Sequence, residues 1–365
     1  MLRVCPDHLH NIMSSRDPLV YILVLNWNGW EDTIACLESV LSTDYSNYRI
    51  IVCDNGSSDQ SLHFIKTWAD SGVAASQSEK GAIPFQLGLE ITKPVNYVEY
   101  SREVAEQGGK REDCSARLVL IRNGSNLGFA GGNNVGLRYA LSRGDFGYVW
   151  ILNNDTVVKR DALVHLVRRM QGGQDLGICG STVLYYHDPA KVQAYGGATF
   201  NKATGTTQLI GHLSDANAAV DAGLVEDKLD CVLGASMLVS DSFLSKIGLI
   251  SEDYFLYYEE IDWALRAKIF YRLAYAAGSV VYHKEGGSVG SGSWSNNQSR
   301  TLSFYNSRNR LKVMRKFYPN ALPMVYLSLV CSILGRIYRG QWRNALIIFL
   351  NLTGMEKLNK KIAGI

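Results

Sequence analysis

Short apolar runs alternate with helical patterns along the chain from Leu19 onward. The runs Tyr21–Asn26 and Tyr48–Asp54 are apolar almost throughout, which is typical of strands that are buried on both faces of a sheet. Apolar residues recur between them at helical spacing, at Ile34, Leu37, Val40 and Leu41. Further strands are predicted at Leu118–Arg122 and Tyr148–Leu152, and further helices near Asn133–Ser142 and Asp161–Met170. This order predicts βαβ units and a mostly parallel sheet, and therefore an α/β fold.

Two parts of the chain depart from this alternation. Residues 74–117 contain Gly, Pro, Ser and charged residues with little periodicity, and the stretch is long for a connection. We interpret it as a surface insertion. After Asp175, glycines punctuate short segments at Gly196-Gly197, Gly205 and Gly211. This spacing predicts hairpins or a loop over a site.

The composition allows a large core, but the charge is distributed unevenly. Hydrophobic residues make up 47% of the 365 residues, and the net charge is only +3. Between Arg300 and Ile365, however, there are 12 Lys and Arg residues and one acidic residue, Glu356, which gives this part a net charge of +11. A basic end on a weakly acidic body indicates an anionic partner, either a phosphate-rich ligand or anionic lipid. We expect no nucleic-acid partner.

The basic end contains an apolar stretch. Ala321–Leu334 is apolar for 14 residues and is followed by Arg336, Arg339 and Arg343. A membrane-spanning helix needs about 20 such residues, so a helix that lies in the interface of an anionic membrane fits better. The alternative is a helix of the core or of an oligomer contact. The oligomeric state stays open.

The cysteines and the first residues bear on location. Seven cysteines occur singly and form no CxxC pair, which indicates a reducing compartment and argues against a zinc site. Residues 1–18 contain charged residues and no apolar segment of the kind found in secretory signals. We therefore expect residues 1–18 to be an N-terminal extension of a cytoplasmic protein.

Four predicted strands end in small polar residues. These ends are Asn26 with Asn28-Gly29, Asp54-Asn55-Gly56-Ser57, Asn123-Gly124 and Asn153-Asn154-Asp155. Each one alone is explained by turn formation, because Asn, Asp and Gly are the usual turn residues. Open α/β sheets, however, bind ligands outside the carboxyl ends of their strands. Four polar ends at one edge therefore predict a binding site.

A glycine-rich run follows the third of these strands. Asn126–Asn134 (NLGFAGGNN) opens a predicted helix, where glycines permit close backbone approach and a helix N-terminus favours phosphate. The run is not the GxGxxG of dinucleotide-binding dehydrogenases, and it lacks the lysine of a phosphate-binding P-loop. Neither of those two classes is supported.

These segments together resemble family 2 of the inverting glycosyltransferases, and they are most similar to its bacterial rhamnosyltransferase-like members. The matching segments are NWNG (26–29), DNGSSD (54–59), NLGFAGGNN (126–134), LNNDT (152–156) and YYEEIDW (257–263). The resemblance covers Leu19 to Phe317 in order. It implies a GT-A fold at residues 19–318, which is a Rossmann-like, mostly parallel sheet with helices on both faces. A basic and apolar helical tail at residues 319–365 would follow.

The resemblance implies a set of donor-binding residues. Asp54 would contact the nucleobase or ribose of a nucleotide-sugar, with Asn26 and Asn28 beside it. Asn133 would line the nucleoside pocket, and Gly128 would be a further donor-binding residue.

The resemblance also implies a metal site. LNNDT stands where the family has its metal-binding DxD motif, so Asp155 would hold Mg²⁺ or Mn²⁺ at the donor diphosphate. Asn153 replaces the first acid of that motif and would remain a donor contact. His283 stands where a later histidine often completes the metal site, although a lone histidine at a strand end is also commonly structural. A hard cation with oxygen ligands neutralises the charge that develops on a leaving diphosphate.

For three further residues we infer a functional role, and a purely structural role is the alternative. Arg308 would contact a donor phosphate in bidentate fashion, or it would be a solvated arginine on a basic helix. Glu260 matches the position of the family's catalytic base, which is usually Asp; without the resemblance, acidic residues here would be helix-dipole partners. Trp263 would stack on an acceptor sugar, or it would belong to the core.

The implied function is inverting transfer of a sugar from a dTDP-rhamnose-like donor to a hydroxyl of a growing cell-surface glycan or lipid-linked saccharide, at the inner face of the membrane. One alternative is the same chemistry with a UDP-hexose donor. Another is a non-catalytic nucleotide-sugar-binding partner of a glycan assembly complex, against which the retention of Asp155 and Glu260 speaks. A nucleotidyltransferase is disfavoured because no GxGxRxxP-like loop follows the first strand.

Overall fold

The computed structural model describes residues 17–71, 91–285 and 299–365. The first part contains β1 (Val20–Asn26), α1 (Trp30–Leu41), β2 (Tyr48–Asp54), α2 (Ser61–Ser71), β3 (Tyr97–Ser101), α3 (Arg102–Glu106), a 3-10 helix (Arg111–Ser115), β4 (Leu118–Arg122), α4 (Gly128–Arg143), β5 (Tyr148–Asn153), β6 (Thr156–Val158) and α5 (Ala162–Gln171). The second part contains β7 (Leu176–Tyr185), β8 (Val192–Tyr195), β9 (Gly197–Phe200), β10 (Thr207–Leu209), α6 (Ala222–Lys228), β11 (Cys231–Val232), β12 (Ser236–Ser240), α7 (Asp241–Ile247), α8 (Glu259–Ala267) and β13 (Arg272–His283). The last part is helical: α9 (Arg300–Phe317), a 3-10 turn (Pro319–Ala321), α10 (Leu322–Tyr338), α11 (Trp342–Thr353) and α12 (Glu356–Ala363).

The main sheet has ten strands. Its order is β3-β4-β2-β1-β5-β12-β7-β13-β6, and β8 pairs with β7. The half from β3 to β5 is parallel, β12 runs antiparallel to β5 and β7, and β13 is parallel to β7. A separate small sheet has the order β10-β9-β11. The predicted alternation of strands and helices is confirmed in the parallel half.

The continuous apolar strands are explained by burial on both faces. Val20, Ile22 and Val24 of β1 join a core that includes residues of α1, α2 and α5. Tyr21 and Leu23, between them in sequence, join a second core with residues of α4, α7 and α8. Side chains alternate across a strand, so a strand covered on both faces is apolar at every position.

The stretch at 74–117 contains a strand that the sequence pattern did not predict. Residues 74–90 lie outside the described residues, but Tyr97–Ser101 forms β3 at the edge of the main sheet, parallel to β4. An edge strand packs on fewer neighbours, and in β3 only Tyr100 is buried. Its apolar signal is correspondingly weak.

Helix α4 lies unusually close to the sheet. A Cβ at Gly132 would lie 2.6 Å from a Leu25 methyl carbon, and one at Gly136 would lie 2.3 Å from a Leu23 methyl carbon. A larger residue at either position would displace the leucine side chain or push α4 away from β1. These two glycines thus have a packing role.

The C-terminal helical tail is confirmed, and its apolar helix is longer than the run predicted from sequence. Val325, Leu329 and Ile348 of the tail pack with Leu311 and Met314 of α9 in one apolar cluster. The helical stretch Pro319–Tyr338 has 20 residues, which is long and apolar enough to cross a membrane, and little of it is buried within the protein. One side of α10 nevertheless packs on the protein.

Candidate active site

The ends of β1, β2 and β5 lie side by side. Asn26 is in register with Asp54, and Leu25 is in register with Asn153. Asn26 is fully buried, and its Nδ2 donates to Asp54 Oδ1 at 2.9 Å. Its Oδ1 accepts a hydrogen bond from Thr33 of α1 at 2.7 Å. The predicted convergence of polar strand ends is therefore present, and Asn26 connects two of them.

The loops after β1 and β2 are joined through Ser57 and Asn28. The backbone N–H of Ser57 donates to Asp54 Oδ2 at 3.2 Å, and that of Asn28 donates to Ser57 Oγ at 3.0 Å. The Asn28 side chain in turn accepts from the backbone N–H of Ser58 at 2.7 Å. Asn28 is exposed, whereas Asp54 is largely buried. The two predicted donor-binding loops thus form one hydrogen-bonded unit.

Asn154 joins the LNNDT turn to this unit. Its Nδ2 donates to the carbonyl oxygen of Gly29 at 3.3 Å and to the hydroxyl of Thr33 at 3.1 Å. Sequence reasoning assigned no role to Asn154 or Thr33. The only signal for Asn154 was its position between the two residues of the motif that received roles.

Asp155 and His283 face each other beyond the end of β5. His283 ends β13, and its Nε2 lies 3.1 Å from Asp155 Oδ1. Its Nδ1 lies 2.8 Å from Oε1 of Gln193 on β8. Because an amide oxygen can only accept a hydrogen bond, Nδ1 is the donor. This bond fixes the ring orientation and directs Nε2 toward Asp155, as hydrogen-bonded partners of metal-binding histidines do. Gln193 was missed because no motif marks it.

Burial and the facing charges act on both members of this pair. Burial opposes ionisation of Asp155, but His283 outweighs this effect and lowers the pKa of Asp155. Burial likewise opposes protonation of His283, but Asp155 raises the pKa of His283 above its usual value. Together they supply one oxygen and one nitrogen donor. The described residues contain no group of three or more His, Cys, Asp or Glu side chains with metal-binding geometry.

Glu260 lies in the first turn of α8, against the loop between β11 and β12. A Cβ at Gly234 would lie 2.6 Å from Glu260 Oε1, so a larger residue at this position would displace the carboxylate. The next residue, Ala235, accepts a hydrogen bond from the backbone N–H of Asn153 at 3.1 Å. The loop that Glu260 lies against therefore bonds directly to the LNNDT turn, through the residue that follows Gly234. Burial raises the pKa of Glu260.

The neighbouring carboxylates have different surroundings. Glu259 is 2% exposed, and its Oε2 has no hydrogen-bond partner among the described residues. Burial and the adjacent Glu260 raise the pKa of Glu259 well above its usual value. Asp262 is fully buried and bonds Arg266 Nε at 2.8 Å and Lys316 Nζ at 2.6 Å. Because Lys316 belongs to α9, Asp262 ties α8 to the helix that precedes the tail.

Trp263 lies in the core, so the prediction that it binds an acceptor sugar is wrong. It is fully buried, and its Nε1 donates to the carbonyl oxygen of Gly248 at 2.9 Å. Its ring meets Phe243 edge to face, with 5.2 Å between the ring centroids. Trp263 lies about one helical turn after Glu259, on the same buried side of α8, and it packs with residues of the sheet in the second core.

Arg308 bonds to the tail and not to the predicted donor residues. Its Nε lies 3.2 Å from Glu356 of α12, and its Nη1 donates to Asn309 Oδ1 at 2.9 Å. A weaker bond of 3.5 Å reaches the carbonyl oxygen of Asp253. The structure therefore gives no support to a contact between Arg308 and a donor phosphate.

The start of α4 is occupied by protein groups. Gly128 has φ 72°, and a Cβ there would lie 2.2 Å from the carbonyl oxygen of Phe255. The N–H of Gly128 donates to Asn126 Oδ1 at 2.9 Å, and that of Phe129 donates to Phe255 at 2.8 Å. Asn133 is fully buried and donates to the carbonyl oxygen of Phe129. The glycine-rich run thus docks the loop that precedes α8, and two N–H groups expected to be available to phosphate are already used.

Comparison with known proteins identifies the class. The sequence model of glycosyl transferase family 2 matches residues 21–81 and 98–227, which is just over half of the chain. The chain belongs to glycosyl transferase family 2. The match includes Asn26, Asp54 and Asp155, whereas Glu260 and His283 lie beyond its end. The family resemblance inferred from the motifs is confirmed.

The chain is similar to a curated hexosyltransferase and to two solved structures. The low-salt glycan biosynthesis hexosyltransferase Agl10 of Haloferax volcanii is 28% identical over 159 residues, 43% of this chain and 49% of that protein. The chain spans about half the length of this relative.

The structures are GalNAc-T7 with UDP, GalNAc and Mn²⁺ and the mannosyltransferase PcManGT from Pyrobaculum calidifontis with GDP-Man and Mn²⁺. The first has a TM-score of 0.52 at 12% identity and covers 82% of this chain and 48% of that chain. The second has a TM-score of 0.49 at 14% identity and covers 96% of this chain and 87% of that chain. The predicted GT-A fold with a C-terminal helical tail is confirmed.

The different surroundings of Glu259 and Asp262 predict opposite effects on stability. The pKa of Glu259 is raised on folding, so the folded protein binds more protons than the unfolded one between the two pKa values, and stability falls as pH rises through that window. Glu259→Gln removes this loss of stability at higher pH, because glutamine does not titrate. We expect its free energy of unfolding, relative to the wild type, to increase from pH 4.5 to pH 7.5 in urea titrations.

Asp262→Asn is the matched counterpart, since it also replaces a carboxylate by an amide in α8. It removes the carboxylate that pairs with Arg266 and Lys316, and because both cations are partly exposed, the cost should lie below the value of about 3–5 kcal/mol that is typical of a fully buried pair. We expect it to lower the free energy of unfolding at pH 7.5. Equal pH dependence in Glu259→Gln and the wild type would contradict the raised pKa, and an unchanged stability of Asp262→Asn would contradict the structural role of that residue.

Proposed function

We propose that this protein transfers a sugar from a nucleotide-sugar to a hydroxyl of a glycan acceptor, with inversion at the anomeric carbon. The observation that carries the proposal is the proximity of two functional groups to the end of β5. The Asp155–His283 pair lies just beyond this strand end, and Glu260 contacts the loop whose Ala235 bonds to Asn153. Family membership supports the same activity.

The joined loops after β1 and β2 would hold the nucleoside of the donor. Asp54 uses one hydrogen bond on each carboxylate oxygen, so lone pairs remain for a ribose or base donor. Asn28 is exposed at the same place, and Asn153 lies between this unit and the Asp155–His283 pair. The donor that we favour is dTDP-rhamnose-like, on the resemblance of the motifs. A UDP-hexose is the alternative, and the description of the relative as a hexosyltransferase supports it.

Asp155 and His283 fit a divalent cation, either Mg²⁺ or Mn²⁺. Their oxygen and nitrogen atoms face each other at 3.1 Å, and Gln193 orients the histidine from behind. Such cations commonly take one or two protein ligands and complete their coordination with substrate phosphates and water. When bound, the cation would neutralise the negative charge on the leaving diphosphate.

Glu260 would act as the general base. The acceptor oxygen forms a bond to the anomeric carbon while the bond from that carbon to the diphosphate oxygen breaks, and the acceptor proton passes to the Glu260 carboxylate. Attack opposite the leaving group inverts the configuration. The raised pKa of Glu260 makes its carboxylate a stronger base than an exposed glutamate. A non-catalytic binding partner would have no use for this carboxylate, and donor turnover distinguishes the two functions.

The tail would place the protein on the inner face of the membrane. Met324, Leu327 and Leu334 of α10 are exposed along one side of the helix, and their opposite side packs on the protein through Val325 and Leu329. A further group of exposed apolar residues lies on α11, at Trp342, Leu346 and Phe349. These six exposed residues form the apolar outer face. A helix that packs on its own domain along one side is better suited to lie on a membrane than to cross it.

The metal site predicts the effect of Asp155→Ala. Loss of the carboxylate removes one of two protein ligands, so we expect no sugar transfer and no enhancement of nucleoside-diphosphate binding by Mn²⁺. Gln193→Leu should retain binding with about 10–100-fold weaker metal affinity, because it removes the partner that orients His283. Calorimetric titration of diphosphate with and without Mn²⁺ measures both effects.

Asp161→Ala is the matched control, since it removes an exposed carboxylate in the same part of the chain. It should behave like the wild type. A folded Asp155→Ala protein with an undiminished Mn²⁺ effect would show that the metal lies elsewhere.

The general base predicts a rate effect without a binding effect. Glu260→Gln keeps the size of the side chain but removes the basic carboxylate, so single-turnover transfer at saturating donor should slow by about 10²–10⁴-fold. Donor affinity should change little. Glu259→Gln should have a much smaller effect on the rate, because that side chain is enclosed within the protein.

Both variants replace a glutamate by glutamine in the same helical turn, so each controls for the other. Near wild-type transfer by Glu260→Gln together with a collapse in Glu259→Gln would assign the base to Glu259. Transfer by both at the wild-type rate would exclude Glu259 and Glu260 as the base.

The apolar outer face and the basic tail predict binding to anionic vesicles. Leu327→Ser combined with Leu334→Ser should weaken binding at every salt concentration. Arg339→Gln combined with Arg343→Gln should weaken it mainly at low salt, because exposed charges are screened as salt increases. Vesicle sedimentation of full-length protein measures both effects.

Ile269→Ser is the control, since Ile269 is 83% exposed outside the tail. It should leave vesicle binding unchanged. Equal binding of the wild type to neutral and anionic vesicles at all salt concentrations would contradict the electrostatic contribution.

A further inference from the structure

A basic cavity lies between α9 and the turn that joins α11 to α12. Its volume is about 300 Å³, and its charged lining residues are Arg308, Lys312, Arg315 and Glu356. The three basic residues follow one another at helical spacing, so they lie along one side of α9. Three cations and one carboxylate leave an excess of positive charge in a space of the size that small ligands occupy.

The basic side chains that line this cavity still have N–H groups that can donate hydrogen bonds to a ligand. Arg308 uses Nε and Nη1, and its guanidinium carries five N–H groups. Lys312 lies 3.1 Å from Asp253, with its side chain about one-third exposed. Arg315 is exposed and donates to the hydroxyl of Tyr326 at 3.0 Å. A phosphate group accepts hydrogen bonds from several such donors at once.

Lining residues of the cavity are next in the chain to exposed apolar residues on one side and contact the loop that leads to Glu260 on the other. Leu350 and Gly354 line the cavity, and Phe349 and Met355, next to them in the chain, are exposed apolar residues. On the other side, Lys312 donates to the carbonyl oxygen of Asp253.

The rest of that loop is held by the same helix. Asn309 of α9 donates to the carbonyl oxygens of Leu256 and Tyr257, close before α8 begins. Helix α9, which lines the cavity, therefore also holds the segment that leads to the proposed base.

We propose that this cavity binds the phosphate of a lipid-linked acceptor. The phosphate would contact Lys312 and Arg315, the lipid chain would extend over the apolar outer face, and the saccharide would reach toward Glu260. This inference rests on the proposed function and narrows its acceptor to a phosphate-bearing amphiphile. It assigns Arg308 to the acceptor side of the protein.

The test is calorimetric titration of full-length protein with farnesyl phosphate below its micelle concentration, inorganic phosphate and farnesol. EDTA is present, so that no metal brings phosphate to the donor site. We expect farnesyl phosphate to bind more tightly than the other two. Lys312→Gln and Arg315→Gln should each weaken its binding by roughly two- to fivefold, the range of a partly exposed ion pair. Glu356→Gln should tighten it, because that change removes the only carboxylate among the lining residues.

Lys357→Gln is the matched control, since it removes one exposed positive charge from the same tail without touching the cavity. It should bind farnesyl phosphate like the wild type. Equal weakening by Lys357→Gln and Arg315→Gln would overturn the proposal, and so would binding of inorganic phosphate as tight as that of farnesyl phosphate.

A second measurement separates this proposal from the proposed function. Arg315→Gln should leave Mn²⁺-dependent binding of nucleoside diphosphate unchanged, whereas Asp155→Ala should leave binding of farnesyl phosphate unchanged. Loss of diphosphate binding in Arg315→Gln would place the cavity in the donor site and would overturn the acceptor assignment. Absence of donor binding in the wild type would instead contradict the proposed function.

Discussion

The hydrogen bond between Asn26 and Asp54 connects the two strands on which the candidate donor site depends. Both side chains are buried, and each buried polar group must find a partner or cost stability. Asn26 satisfies this requirement by bonding Asp54 on one side and Thr33 on the other. The pairing requires β1 and β2 to end in register, which is the arrangement in the main sheet. The loops that follow these strands are consequently held together, and the surface they share is preorganised for a ligand.

A second set of contacts places the proposed base relative to that surface. Phe255 caps α4 through its carbonyl oxygen, and Gly128 makes room for the contact because it has no Cβ. Asp262 then ties the helix that begins at Glu259 to Lys316 of α9. Glu260 is therefore positioned by the sheet through α4 and by α9, on which the tail packs. A change in the tail has a direct route to the base, which connects the proposed membrane contact with the proposed chemistry.

The tail has two properties that each carry a free-energy cost when the protein is free in water. Its apolar outer face exposes large side chains to water, and extended apolar patches on soluble proteins commonly mark interaction sites. Its basic residues repel one another unless an anion is near. A membrane with anionic lipids and a phosphate-bearing acceptor would relieve both costs. This is the physical basis for treating the tail as part of the proposed function.

The amino-acid sequence by itself determined the parallel half of the sheet, the polar strand ends and the family, since these depend on local periodicity and on residues close in the chain. Only the tertiary structure decided which of the motif residues face a shared site. Trp263 and Glu260 are three residues apart in one motif and lie within one turn of α8, yet Trp263 packs in the core whereas Glu260 lies against Gly234 of a distant loop. Gln193 carries no motif, and it meets His283 only because β8 and β13 both pair with β7. Arg308 meets Glu356 of α12 for the same kind of reason. Such contacts join residues far apart in sequence, and the pattern along a chain contains no information on which distant elements will pack together.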